Sequence, residues 1–214
     1  MNRKQFIQGL GVGIVIPVLC QTYAHTAEVK PTDIKSIVTS LKQGGYVIVF
    51  RHGASNKNQV DTALNFSDIT KQRLLSDKGR KECQQVGESF RKLGIPIGKI
   101  YTSMFNRAVE TGKLIGSRDE VTATLDVTDS GSLATKEERD RRVQVLRTMV
   151  ANMPAQGENT IIVTQKPNIV DAFGKEWSEV KEGEALIFKI DPSNKSTLVA
   201  HLQSSEWIAA AASK

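Results

Sequence analysis

Apolar positions recur along this chain in two rhythms, one helical and one extended. Ile34, Ile37, Val38 and Leu41 fall three and four residues apart, and Thr32-Asp33 supplies capping side chains in front of them. Gly44-Gly45 closes that helix. Tyr46 to Phe50 (YVIVF) is then apolar without interruption, as strands buried on both faces of a parallel sheet tend to be. The helical rhythm returns after Ser76, where Cys83, Val86, Phe90 and Leu93 share a face until Gly94 stops the helix and Pro96 prevents its continuation. A brief strand at Ile100 to Thr102, a helix from Arg107 to Ile115 and a strand from Val121 to Val127 follow. Lys136 to Met153 reads as a long amphipathic helix. Its stripe is Val143, Leu146, Val150 and Met153, and Glu137 with Arg141 and Glu138 with Arg142 pair along a solvated face. Ile161 to Thr164 is a strand feeding a helix from Asn168. Ala185 to Ile190 and Thr197 to Leu202 flank Asp191-Pro-Ser-Asn as a hairpin at the sheet edge. The predicted elements end at Leu202.

Strands alternating with helices imply an α/β protein. The expected architecture is a three-layer α/β/α sandwich with a mostly parallel sheet and an antiparallel edge hairpin. The 214 residues suit one domain with a sizeable core. Residues 1–24 stand apart from it as a signal peptide. Arg3-Lys4 precedes an apolar run from Phe6 to Leu19 that is short for a membrane span. Thr22-Tyr23-Ala24 presents small residues where a signal peptidase cuts, with His25-Thr26-Ala27 as a second choice. The expectation is therefore a single domain over 25–214, exported to a bacterial periplasm or secreted, with no stable membrane span after signal removal. If Cys20 leaves with the signal, Cys83 is the one cysteine of the mature chain. An intrachain disulfide is then impossible, and the helical setting of Cys83 reads as a small buried apolar residue.

Charge narrows the function classes. The net charge is +6, and without Arg3 and Lys4 the 29 basic residues fall to 27 against 23 acidic ones. The surplus is spread out, with no basic stripe interleaved with aromatics, which argues against nucleic-acid binding. It is compatible with an anionic substrate.

In open α/β sheets, ligands sit beyond the carboxyl ends of the strands. The first strand ends there in Arg51-His52-Gly53. A guanidinium grips a phosphoryl group in bidentate fashion, and a neutral imidazole can attack phosphorus and carry it covalently. Neighbouring arginines lower the histidine pKa and keep the ring unprotonated. Arg107, at the start of the helix after the second strand, adds a further cation to the same crevice. Gln165 ends the Ile161 to Thr164 strand.

These segments resemble the histidine phosphatase superfamily, which includes the phosphoglycerate mutase-like enzymes. Arg51-His52-Gly53 is similar to its first motif. Arg73-Leu74-Leu75-Ser76 with Gly79-Arg80 resembles its common helix start. Tyr101-Thr102-Ser103 through Arg107-Ala108 and Glu110-Thr111 is similar to the second motif, with Met104 where proline is frequent. Val163 to Ile169 resembles the third, and Glu182-Gly183-Glu184-Ala185 the closing strand of small bacterial members. The resemblance implies a phosphate-accepting nucleophile at His52, phosphoryl binding by Arg51 and Arg107, and a further phosphate contact at Asn56, where a turn-forming role competes. The leaving-group acid varies within the family. Asp126 is the candidate, with Asp129 and Glu184 as rivals. No cofactor or metal is implied, and the expected partner is a small phosphorylated substrate or inorganic phosphate.

The third motif departs from the family, whose members normally carry a second histidine where this chain has Gln165. The chain has three histidines, and neither His25, beside the cleavage region, nor His201, at an alternating and exposed hairpin position, replaces it. Glutamine keeps an N–H that reaches a phosphoryl oxygen but cannot be charged. Loss of such a donor costs on the order of 2.7–4 kcal/mol of transition-state stabilisation. Two functions are left open: a phosphomonoesterase weakened or altered by glutamine at this position, and a non-catalytic phosphate-binding or sensing module. Oligomeric state is not legible.

Overall fold

The computed structural model describes residues 33–62, 66–129 and 134–214. The expected signal peptide at 1–24 lies outside the described residues, as do Thr32 and positions 25–31. Six strands form one sheet: β1 (Tyr46–Arg51), β2 (Ile97–Ser103), β3 (Thr122–Thr124), β4 (Asn159–Thr164), β5 (Ala185–Ile190) and β6 (Ser196–Leu202). Their spatial order is β3-β2-β4-β1-β5-β6. The first four run parallel, β5 pairs antiparallel with β1, and β6 closes the edge as the hairpin partner of β5. The mostly parallel sheet with an antiparallel edge hairpin is therefore present.

Helices cover both faces. α1 (Ile34–Leu41), α2 (Asp77–Leu93), α3 (Asn106–Gly116) and α6 (Ser204–Ala212) pack with Ile48, Phe50, Ile161 and Ile187 on one side. α4 (Lys136–Ala151) and α5 (Lys166–Phe173) pack with Val47, Val49, Ile162 and Leu186 on the other. The unbroken apolar run of β1 is thus an alternation in three dimensions, each residue serving one of two cores. Among the described residues, no helix is long and apolar enough to cross a membrane.

Five local expectations change. β3 stops at Thr124 because its Oγ1 accepts the Asp126 N–H at 3.2 Å and tightens residues Leu125–Val127 into a 3-10 turn. α4 stops at Ala151, and Met153 is left exposed, since Pro154 disfavours helical backbone at the residue before it. The solvated face of α4 is also incomplete. Arg142 is buried and donates to Thr128 O at 2.8 Å while meeting Glu138 at 3.4 Å, and Arg141 pairs with Asp126 in place of Glu137. α5 begins at Lys166, two residues early, because Pro167 fits a first helical turn that needs no N–H there. α6 lies beyond the predicted elements altogether. It seats a fully buried Trp207 edge-on against Phe90 of α2 with centroids 4.8 Å apart.

The start of α2 matters for what lies at the strand ends. Ser76 caps it, its Oγ accepting the Gly79 N–H at 3.1 Å and donating to Ala54 O at the same distance. A side chain on Gly79 would drive into that Ala54 carbonyl, two residues from His52. Gly79→Ala is expected to cost about 1–3 kcal/mol through overpacking, read as a lowered midpoint in urea denaturation.

Candidate active site

Register brings the carboxyl ends of β1, β2 and β4 to one edge, with Arg51 opposite Thr164 and Thr102 opposite Val163. His52 leaves β1 with its N–H on Thr164 O at 3.0 Å. Gly53 N–H then donates to Thr111 Oγ1 at 3.0 Å, and Thr111 in turn donates to Arg107 O at 2.7 Å. The nucleophile candidate and the start of α3 are thereby tied together. On the other side, Gly183 N–H reaches the carbonyls of both Arg51 and His52, so the turn before β5 abuts the same corner.

His52 is buried, and its Nδ1 lies 2.8 Å from Gly53 O. A carbonyl oxygen only accepts, so Nδ1 carries the proton and Nε2 keeps its lone pair. Burial, reinforced by the charges of Arg107 and Arg51, pushes the imidazole pKa from 6.5 down to about 3 against the pull of the Gly53 bond. The ring is neutral and nucleophilic at neutral pH.

Each arginine is anchored by one nitrogen. Arg51 donates Nη1 to Val180 O at 2.7 Å, with Nη2 3.6 Å from Glu182 Oε1. Arg107, its side chain 4% exposed, donates Nη1 to Asp61 Oδ1 at 2.9 Å and to Arg73 O at 3.2 Å, with its guanidinium over the Phe105 ring. The Nε atoms of Arg51, Arg107 and Arg73 are all buried without a hydrogen-bond partner. A planar or tetrahedral oxyanion is the kind of group such Nε donors can bind. Burial pulls the pKa of Arg51 and Arg107 below the ordinary arginine value, and the three guanidinium charges repel one another. An anion would relieve both effects.

Gln165 is buried at the amino end of α5 and held at both ends. Its Nε2 donates to Ser103 Oγ at 2.8 Å and its Oε1 accepts the Asp129 N–H at 3.1 Å. One amide hydrogen remains for a ligand oxygen. Lys166 turns away, donating to Ser178 O.

The remaining candidates have contacts of their own. Asn56 Oδ1 accepts the Asn58 N–H at 3.0 Å, which is the turn-forming role. Asp126 is on the 3-10 turn, 38% exposed and 2.7 Å from Arg141 Nη1, and the structure does not bring it to His52. Asp129 is nearer, its charge bearing on Arg107. Glu184 is buried with its oxygens on Lys181 N and His201 Nδ1. His201 is on the exposed edge strand, as expected.

Three residues here escape a reading by sequence. Asp61 sits in a loop with no motif, Ser103 was one letter of the second motif with no role of its own, and Glu182 was one letter of Glu182-Gly183-Glu184. Glu182 is 12% exposed, accepts Ser55 Oγ–H at 2.6 Å and faces Lys57 Nζ at 3.4 Å. Burial pushes its carboxyl up, but the Ser55 bond with the Arg51 and Lys57 charges holds it below the usual range. An acidic side chain beside Arg-His-Gly in space, but far from it in sequence, gives no local signal.

The sequence pattern of the histidine phosphatase superfamily (branch 1) matches residues 47–130. A 2,3-bisphosphoglycerate-dependent phosphoglycerate mutase 1 from Latilactobacillus sakei is 32% identical over 69 residues, which cover 32% of this chain and 28% of that enzyme. The match therefore spans little more than a quarter of that relative's length. Among solved structures, the protein histidine phosphatase SixA complexed with tungstate superposes with a TM-score of 0.55 at 14% identity, over 75% of this chain and 98% of that one. A mutant phosphoserine phosphatase from Entamoeba histolytica in complex with phosphoserine gives 0.54 at 12% identity, over 74% and 97%. The fold is the α/β fold of the histidine phosphatases. The matched pattern covers less than half of this chain, and what the chain shares with the structural neighbours is their fold.

Proposed function

We propose that this protein is a phosphomonoesterase that works through phosphorylated His52 on a small phosphorylated substrate. One observation carries this reading: a buried, neutral imidazole with a free Nε2 feels the charges of Arg51 and Arg107, whose Nε atoms both lack a hydrogen-bond partner. In the first step Nε2 attacks phosphorus as the ester P–O bond breaks, and the leaving oxygen departs with that electron pair and takes its proton from solvent. The two guanidinium groups bind the non-bridging oxygens and stabilise the charge that builds there. The uncommitted N–H of Gln165 supplies one further donor. It cannot carry positive charge, so the transfer is slower than with a protonated imidazole in its place. Export to the periplasm or medium, read from residues 1–24, belongs to the same proposal.

A second reading, a phosphate-binding module without turnover, draws on the two hydrogen bonds that lock the neutral Gln165 amide. One substitution separates them. Gln165→His is expected to raise hydrolysis of an aryl phosphate at least about tenfold, a lower bound on the worth of a preorganised charged donor. Turnover and trapped phosphohistidine are measured side by side. No gain in rate, together with no phosphate on His52, would rule out the phosphatase and leave the binding module.

A further inference from the structure

A carboxylate beside a phosphate pocket weakens binding, because it repels the ligand and competes for the same cations. Glu182 is in that position with respect to Arg51 and His52. We propose that Glu182 is the general base that activates water for hydrolysis of phosphorylated His52. This role rests on the phosphatase reading.

The geometry comes first. Gly183 N–H on the Arg51 and His52 carbonyls fixes the residue before it against the nucleophile's corner. The side chain is only 12% exposed, so it is held in place yet open to water. Ser55 Oγ–H steadies Oε1 at 2.6 Å, and Lys57 Nζ at 3.4 Å is the neighbour of Oε2. Arg51 Nη2, at 3.6 Å, is too far for a firm hydrogen bond. Three other carboxylates are committed elsewhere, Asp126 to Arg141, Asp61 to Arg107, and Glu184 to Lys181 N and His201, while Asp129 bears on Arg107 and not on Arg51.

The chemistry follows from the charge balance. With the pocket empty, Glu182 is ionised, its burial outweighed by Ser55, Arg51 and Lys57. A phosphoryl group on His52 neutralises Arg51, weakens its hold on Glu182 and makes the carboxylate a better base. A water oxygen attacks phosphorus as the P–N bond breaks, and that electron pair returns to Nε2. Glu182 takes the water proton and passes it to solvent after inorganic phosphate leaves. Because the base acts only on the second step, its loss strands the covalent intermediate.

The test compares the full chain with its Glu182→Gln variant, using p-nitrophenyl phosphate as substrate and vanadate as the binding probe. Phosphorus NMR and intact mass follow phosphate on His52. In the variant, steady-state turnover is expected to fall about 100-fold or more. Phosphorylated His52 accumulates and vanadate binds at least as tightly, since a negative charge has left the pocket. A variant that turns over at the parent rate without accumulation overturns the role. Slowed turnover without accumulation also overturns it, because the defect then lies in the first step. Joint loss of vanadate binding and labelling makes Glu182 a structural support and overturns it as well. A parent protein that neither turns over nor labels takes down the phosphatase reading and this role together, whereas an active parent beside an unaffected variant removes Glu182 alone.

Discussion

His52→Asn is expected to reduce aryl phosphate hydrolysis by about a thousandfold or more, as deletions of a covalent nucleophile do. Asparagine is the informative choice because its amide N–H can replace Nδ1–H on Gly53 O while removing Nε2. No phosphate should be trapped on the variant. Retention of more than a tenth of the parent rate would remove His52 from the chemistry. The same variant carries a pH signature. The folded imidazole resists protonation until about pH 3, whereas the unfolded one takes up a proton near 6.5. The unfolded state therefore binds more protons between those values, and the parent loses stability as pH falls from 6.5 toward 3. His52→Asn lacks this loss, so it should gain on the parent over that window in urea denaturation. A constant difference across the window would contradict a neutral buried imidazole.

Arg107→Ala is expected to weaken vanadate binding at least a hundredfold and to lower turnover by about 10²–10³-fold. The guanidinium is among the most buried charges at the strand ends, and it is aimed by Asp61, Arg73 O and the Phe105 ring. Removing it deletes one fork of the pocket and leaves the Asp61 carboxylate without its partner. Arg107→Lys restores charge but not the planar fork, so it should recover only part of the binding. Calorimetry on the three proteins decides the matter. An Arg107→Ala protein that binds vanadate as tightly as the parent would show that the pocket is elsewhere.

Much of the fold was legible because its signals are local. YVIVF announces a buried strand, Ser76 and Gly94 bracket α2, and Asp191-Pro-Ser-Asn marks the hairpin. The misreadings came where a short-range competitor acted. Thr124 bends β3 into a 3-10 turn through one side-chain bond, and that bend leaves Asp126 beside Arg141 at the surface. Pro154 shortens α4. α6 went unseen because its alanine-rich tail has little amphipathic contrast. What anchors it is Trp207, packed against a residue more than a hundred positions earlier.

The sequence by itself determined the class of fold and placed three candidate residues. Arg51 and His52 stand at the end of the first strand and Arg107 at the start of the helix after the second, and apolar periodicity places such element ends without knowledge of any long-range contact. It also singled out Gln165, which stands where the resembled motif leads one to expect a histidine. Only the tertiary structure decided the electrostatics. The neutrality of His52, the unpartnered Nε atoms of the arginines, the two-point anchoring of Gln165 and the approach of Glu182 all depend on burial and on partners distant in the chain. Periodicity records which face of an element is buried, whereas a pKa depends on which charges the fold brings within a few ångströms and how much water it removes from between them.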